Sequence, residues 1–129
     1  MKIRAIRATP VNVDYREPER WSQGHRLGVT SVVVEVETDM GLVGLGESVP
    51  APSPEVTLAA IQSVTPQLVG RDPRLVSQRW REIQTVGGFG AFPHTGNAAL
   101  AGIEIACWDI VGKSLGVDRK STRLNSSHA

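Results

Sequence analysis

The stretch Asn97 to Gly116, Asn-Ala-Ala-Leu-Ala-Gly-Ile-Glu-Ile-Ala-Cys-Trp-Asp-Ile-Val-Gly-Lys-Ser-Leu-Gly, is the longest helical pattern in the sequence. Leu100, Ile103, Cys107 and Ile110 recur at spacings of three and four, which puts them on one apolar stripe. Ala98, Ala99, Ala101, Gly102 and Ala106 are small, so a neighbouring element can approach this helix closely. Thr95 or Asn97 is expected to cap its start and Gly116 to end it. Glu104 and Asp109 sit among apolar residues and need partners, and the chain need not contain them all. Asp109 precedes Lys113 by four, the favourable order for an exposed helical ion pair.

The segments before this helix read as strands first and helices second. Lys2 to Tyr15 is extended, but its apolar residues change parity twice, which predicts a bulge or bend near Pro10. Pro10 also favours a sheet edge. Arg16 to Gly28 has Pro18, Gly24 and no sustained period, so a loop is expected. It is rich in residues suited to binding, namely Tyr15 at its border, Arg16, Glu17, Arg20, Trp21, His25 and Arg26, and reads either as a solvated connection or as a lid. Thr30 to Thr38 alternates Val32, Val34 and Val36 against Glu35 and Glu37, the pattern of a strand with one buried face. Asp39-Met40-Gly41 predicts a turn, and Leu42 to Ser48 a returning strand. Gly44 and Gly46 on one face of that strand would leave a shallow groove. The run Gly41 to Gly46 is not a nucleotide loop, because its spacing is reversed and no helix follows directly to receive a pyrophosphate.

Val49 to Ser53 is a Pro-rich link. Ser53-Pro54-Glu55 then opens a helix with a serine cap and a first-turn proline. Val56, Ala60 and Val64, with Ile61 beside them, are its expected stripe; Pro66 should kink or restart it, and Gly70 end it. Asp72-Pro73 repeats the start signal, and Val76, Trp80 and Ile83 mark a second helix. Gly87-Gly88-Phe89-Gly90 is expected to be a flexible loop leading through Pro93 to the long helix. Strands segregated from helices predict an α+β fold, a three-stranded antiparallel meander followed by three helices.

At 129 residues, one modest core is expected. A formal charge of +1 gives no electrostatic footprint for nucleic acid or an anionic membrane. The single cysteine, Cys107, excludes an internal disulfide and reads as a small core residue. No apolar run reaches a membrane span and no cleavable leader is visible, so a cytoplasmic protein is expected. Residues of catalytic type do not converge. His25, His94 and His128 are far apart and in no metal-ligand spacing. Glu35 and Glu37 read as a solvated strand face. Glu47 stands beside a loop, where a structural hydrogen bond explains it best. No catalytic residue and no metal ligand is assigned.

The motifs in combination resemble a family. Ala99-Leu-Ala-Gly-Ile-Glu104-Ile-Ala106-Cys-Trp-Asp109-Ile-Val-Gly112-Lys113 is similar to the signature that precedes the barrel in the mandelate racemase/muconate lactonizing enzyme group of the enolase superfamily. Met1-Lys-Ile, Thr38-Asp-Met-Gly41, Gly44-Leu-Gly46-Glu47 and Gly70-Arg-Asp-Pro73 support the match, which runs from Met1 to about Val117. The resemblance implies an N-terminal capping domain, residues 1–117, of a racemase, cycloisomerase, epimerase or dehydratase. In such enzymes a modified β/α barrel carries the chemistry: a lysine or histidine abstracts the proton next to a carboxylate, and Mg2+ held by barrel acids stabilises the enediolate. The capping domain supplies two loops over the barrel's active face. They map here onto Arg16 to Gly28 and Val49 to Ser53, so Tyr15, Trp21, His25, Arg26, Val49 and Pro50 become candidate substrate-shell residues. Glu104, Asp109 and Lys113 become residues of a seam that meets barrel groups or caps loop amides. The partners implied for the complete enzyme are a small carboxylate substrate, the C-terminal barrel and further copies of itself.

After Val117 the sequence departs from that family. Asp118-Arg-Lys-Ser-Thr-Arg-Leu-Asn-Ser-Ser-His128-Ala129 has no apolar period and matches a codon-by-codon reading of a common sequencing adapter. Residues 118–129 are therefore expected to be a disordered tail of non-native origin, with a chain cut off before the barrel, inactive alone and binding no Mg2+ of its own. An apolar patch is expected where the barrel would pack. The alternative is a free-standing binding or interaction module of the same fold, or a cap that binds a separate barrel chain.

Overall fold

The computed structural model describes residues 1–86 and 93–117. The expectations for Gly87 to Gly90 and for the 118–129 tail lie outside the described residues. Three strands, β1 (Ile3–Trp21), β2 (Gly24–Thr38) and β3 (Val43–Ser48), form one antiparallel sheet in the order β1-β2-β3. Helix α1 (Pro54–Leu68), a 3-10 turn (Pro73–Leu75), α2 (Val76–Val86) and α3 (Pro93–Leu115) follow. This is the expected α+β meander followed by three helices. Among the described residues no helix is long and apolar enough to cross a membrane.

The alternation of β2 sets the layers. Val32, Val34 and Val36 are fully buried and meet Ile61, Val64 and Leu68 of α1 and Leu100, Ile103, Cys107 and Ile110 of α3. On the opposite face Arg7 Nη1 donates to Glu37 Oε2 at 2.9 Å, so the strand acids are neutralised across the β1–β2 pair. The small residues of α3 allow backbone-to-backbone approach. A Cβ added to Gly44 would collide with the Ala106 carbonyl, one on Gly46 with the Gly102 carbonyl, and one on Gly102 with the Ser48 hydroxyl. The groove expected at Gly44 and Gly46 is therefore occupied by α3 itself.

Several boundaries differ from expectation. Helix α3 starts at Pro93, so Thr95 and Asn97 lie inside it and cap nothing. Their side chains are used elsewhere, Thr95 on the Ala51 carbonyl and Asn97 on Gln84. The helix ends as expected: Gly116 has φ +70°, its N–H donates to Lys113 O at 3.3 Å, and the Val117 N–H donates to Gly112 O at 2.9 Å. In α1 the Ser53 cap holds, with the Val56 N–H donating to Ser53 Oγ at 3.3 Å. The buried stripe is Thr57, Ile61, Val64 and Leu68, while Val56 is 40% exposed. A hydroxyl with buried partners displaces the aliphatic residue one position before it. The helix also runs on through Pro66 to Leu68 rather than restarting. In β1, Pro10 sits opposite Val32 in regular register on an edge strand, and the register shifts fall at Ile3/Ala5 and Asp14/Glu19 instead. The expected loop from Arg16 to Gly28 is mostly β-ribbon with a turn at Ser22-Gln23. A ribbon with both faces exposed has no hydrophobic period to reveal it.

The 3-10 turn carries a pH-sensitive lock. Asp72 accepts from the Arg74 backbone N–H at 2.9 Å and from its guanidinium, and the guanidinium hydrogen bonds hold the Asp72 carboxyl down at about 2. A carboxyl lowered in the folded state stabilises the fold at pH values above its ordinary range, and this contribution is lost as pH falls through 3.8 toward about 2. Urea unfolding of wild type and Asp72→Asn between pH 5 and pH 2 is expected to show the stability gap closing as pH falls. A constant gap would mean that the carboxylate is not what stabilises the turn. The pair is largely solvent-facing, so the effect is small.

Candidate functional site

The sheet brings the two suspected binding segments to one end. Strand β3 stops at Ser48, opposite Val32, while β1 and β2 continue pairing to Trp21 and Gly24. The β1–β2 ribbon therefore projects past the sheet as an arm roughly 25 Å long at ~3.3 Å per residue. The 49–53 link leaves β3 from the same end. Ser31, at the base of the arm, donates to Glu47 Oε1, and its hydroxyl lies 3.5 Å from the Ser48 carbonyl. Glu47 thus makes a hydrogen bond that ties the arm's base to the end of β3.

Along the arm, Tyr15 is half-buried at the register shift between Asp14 and Glu19. Trp21 is 49% exposed at the tip, opposite Gly24, and the Arg26 guanidinium lies 5.6 Å from its ring centroid. That geometry holds a cation over an aromatic face. His25 is opposite Arg20, and both join Pro18, Trp21, Gly24 and Leu27 around a shallow concavity. Further down the arm, Val13 and Val29 face each other across the ribbon and are 51% and 41% exposed.

The second segment is held by side-chain hydroxyls. Val49 is 59% exposed and Pro50 half-buried, whereas Ala51, followed by a cis bond to Pro52, is 1% exposed. The Ala51 N–H donates to Thr57 Oγ1 at 2.9 Å, and Thr57 Oγ1 donates to the Val49 carbonyl at 3.1 Å. Thr95 Oγ1 donates to the Ala51 carbonyl at 2.9 Å. Sequence reasoning missed Thr57 in this role. Its available signal was a polar residue in phase with Ile61, Val64 and Leu68 on the buried face of α1.

The charged residues of α3 are placed away from these loops. Asp109 Oδ2 lies 2.9 Å from Lys113 Nζ and accepts the Leu45 N–H at 3.0 Å, while Lys113 Nζ donates to the Val43 carbonyl at 2.6 Å. The pair therefore serves the outer edge of β3, where backbone groups have no neighbouring strand among the described residues. Glu104 accepts from Trp108 Nε1 at 3.4 Å. Cys107 is fully buried, and burial, reinforced by the nearby Glu104 charge, pushes its thiol up to about 12, so it is no nucleophile at neutral pH. Among the described residues no three His, Cys, Asp or Glu side chains converge as a metal site.

Residues 3–118 match the family model for the mandelate racemase/muconate lactonizing enzyme N-terminal domain. The D-galactonate dehydratase of Verminephrobacter eiseniae is 35% identical over 103 residues, which cover 80% of this chain and 24% of that protein. The cis-3-hydroxy-L-proline dehydratase of Roseibium aggregatum is 37% identical over 124 residues, 90% of this chain and 32% of that protein. Among solved structures, the dipeptide epimerase of Enterococcus faecalis, complexed with Mg and the dipeptide L-Leu-L-Tyr, aligns with a TM-score of 0.75 and 27% identity, covering 89% of this chain and 32% of that one. The chain thus spans between 24% and 32% of the length of these relatives.

Proposed function

The chain belongs to the N-terminal domain family of the mandelate racemase and muconate lactonizing enzymes, within the enolase superfamily, and from this premise we propose that it caps the active face of a separate catalytic barrel. In this reading the barrel supplies the base and the Mg2+ ligands. The cap supplies the walls of the substrate pocket, through Tyr15, Trp21, His25 and Arg26 on the arm and Val49 and Pro50 on the link. One observation carries the reading: the arm and the link leave the sheet at the same end, so a single partner surface can meet both. The substrate class is a small carboxylate that loses an α-proton, and the reaction is a dehydration or an epimerisation, as the names of the relatives suggest. Glu104, Asp109 and Lys113 keep a seam role, with Asp109 and Lys113 acting through the β3 edge that they hold. Residues 1–117 are the working unit and 118–129 add nothing to it; codons in the nucleotide record that differ from the adapter would contradict that part.

The test joins residues 1–117 to the catalytic barrel of the D-galactonate or cis-3-hydroxy-L-proline dehydratase relative, in place of the barrel's own cap. Turnover of sugar acids and hydroxyprolines is expected from the joined protein and not from the 129-residue chain. Turnover by the 129-residue chain alone would overturn the proposal.

A further inference from the structure

We propose that Thr57 and Thr95 are positioning residues that clamp the Ala51 peptide between two helices and so fix where the 49–53 link presents Val49 and Pro50. The inference deepens the capping reading and rests on it for its meaning, but the clamp itself stands on geometry. The sheet has ended at Ser48 and α1 starts at Pro54, so Ala51 has no ladder or helix of its own to satisfy its backbone. It is nevertheless 1% exposed, and a buried residue needs partners for both its backbone polar groups. Both come from threonine hydroxyls: the N–H goes to Thr57 of α1 at 2.9 Å, and the carbonyl accepts from Thr95 of α3 at 2.9 Å.

Thr57 does a second task with the same hydroxyl. It accepts from Ala51 and donates to the Val49 carbonyl at 3.1 Å, so one oxygen spans two residues of the link. Its own backbone N–H is already used in the first helical bond, to Ser53 O at 3.1 Å, and its side chain is 0% exposed. A threonine buried this completely on an otherwise aliphatic stripe is not needed for packing, since valine has nearly the same shape. What valine lacks is the hydroxyl. Without it the Ala51 N–H is left buried and unpaired, and the link must shift to reach water. Val49, 59% exposed, shifts with it.

Amide hydrogen exchange by NMR on the 129-residue chain tests the clamp, with Thr57→Val, Thr57→Ser and Thr95→Val compared with wild type. In Thr57→Val the Ala51 amide is expected to exchange roughly ten- to a hundredfold faster, well beyond any change at the central-strand amide of Val34. Thr57→Ser restores Ala51 protection, because it returns the hydroxyl. Thr95→Val is expected to shift resonances of the 49–53 link while leaving those of the arm unchanged. Equal acceleration at Ala51 and Val34 would show a merely structural role and overturn the proposal, as would failure of serine to rescue. These readouts need no catalytic barrel, so failure of the clamp is distinguishable from failure of the capping reading, which the joined enzyme tests.

Discussion

Gly46→Ala is expected to destabilise the domain by about 3 kcal/mol, through overpacking that cannot relax, lowering the melting temperature by roughly 9–18 °C for a domain of this size. The added methyl would meet backbone atoms, the Gly102 carbonyl and the Ala106 amide, and not the end of a movable side chain. To make room, α3 must withdraw from β3, taking with it Ile103 and Ile110, which fill the core against β2. It must also lengthen the hydrogen bonds from Lys113 to Val43 and from Leu45 to Asp109. Gly41→Ala is the control. A Cβ there meets nothing within 4 Å, but the residue has φ +78°, so only backbone strain is added. That substitution is expected to cost about 1 kcal/mol. Thermal unfolding of both variants decides the point, and equal losses would mean that close α3–β3 approach is not what the glycine at 46 provides.

The same glycines show what the sequence could and could not reveal. The valine alternation of β2, the Ser53 cap and the Gly116 terminus were legible because each is a local rule: period two, a side-chain oxygen facing free N–H groups, a backbone in the left-handed region. The small residues of α3 correctly foretold a close neighbour, but not which one. Gly44 and Gly46 read as an open groove because the helix that fills it lies more than fifty residues away in sequence. The arm was illegible as a strand for the opposite reason. Residues such as Glu19, Arg20, His25 and Arg26 pair through backbone while exposing both faces, so no apolar period records the pairing. For the candidate site, residue type pointed to Trp21, His25 and Arg26, and topology brings their arm to the same end as the 49–53 link. Thr57 went unnoticed because its importance depends on two carbonyl and amide groups from a segment that only the fold brings near.

The second large effect concerns that arm. Trp21→Ala is expected to lower kcat/KM of the joined cap–barrel enzyme by about 10- to 100-fold, the cost of a misplaced pocket wall. The melting temperature of the isolated domain should barely change. The ring is 49% exposed at the end of the ribbon, outside the core, so its removal leaves no cavity among Val32, Val34 and Val36. What disappears is the surface over which Arg26 is held at 5.6 Å, and with it the placement of a cation at the arm's tip. Arg26→Lys separates charge from stacking, because an ammonium keeps the charge and loses the planar face. A wild-type kcat/KM for Trp21→Ala would remove the arm from the substrate pocket.

On the capping proposal this domain shapes a site whose chemistry lies in another domain. Isothermal titration calorimetry of Mg2+ into the purified 129-residue chain tests it most directly, because the described residues offer no converging set of acids and histidines to hold the ion. Heats of dilution alone are expected, unchanged by a carboxylate substrate in the cell. Saturable, stoichiometric Mg2+ binding would contradict the account by placing a metal centre within the cap itself.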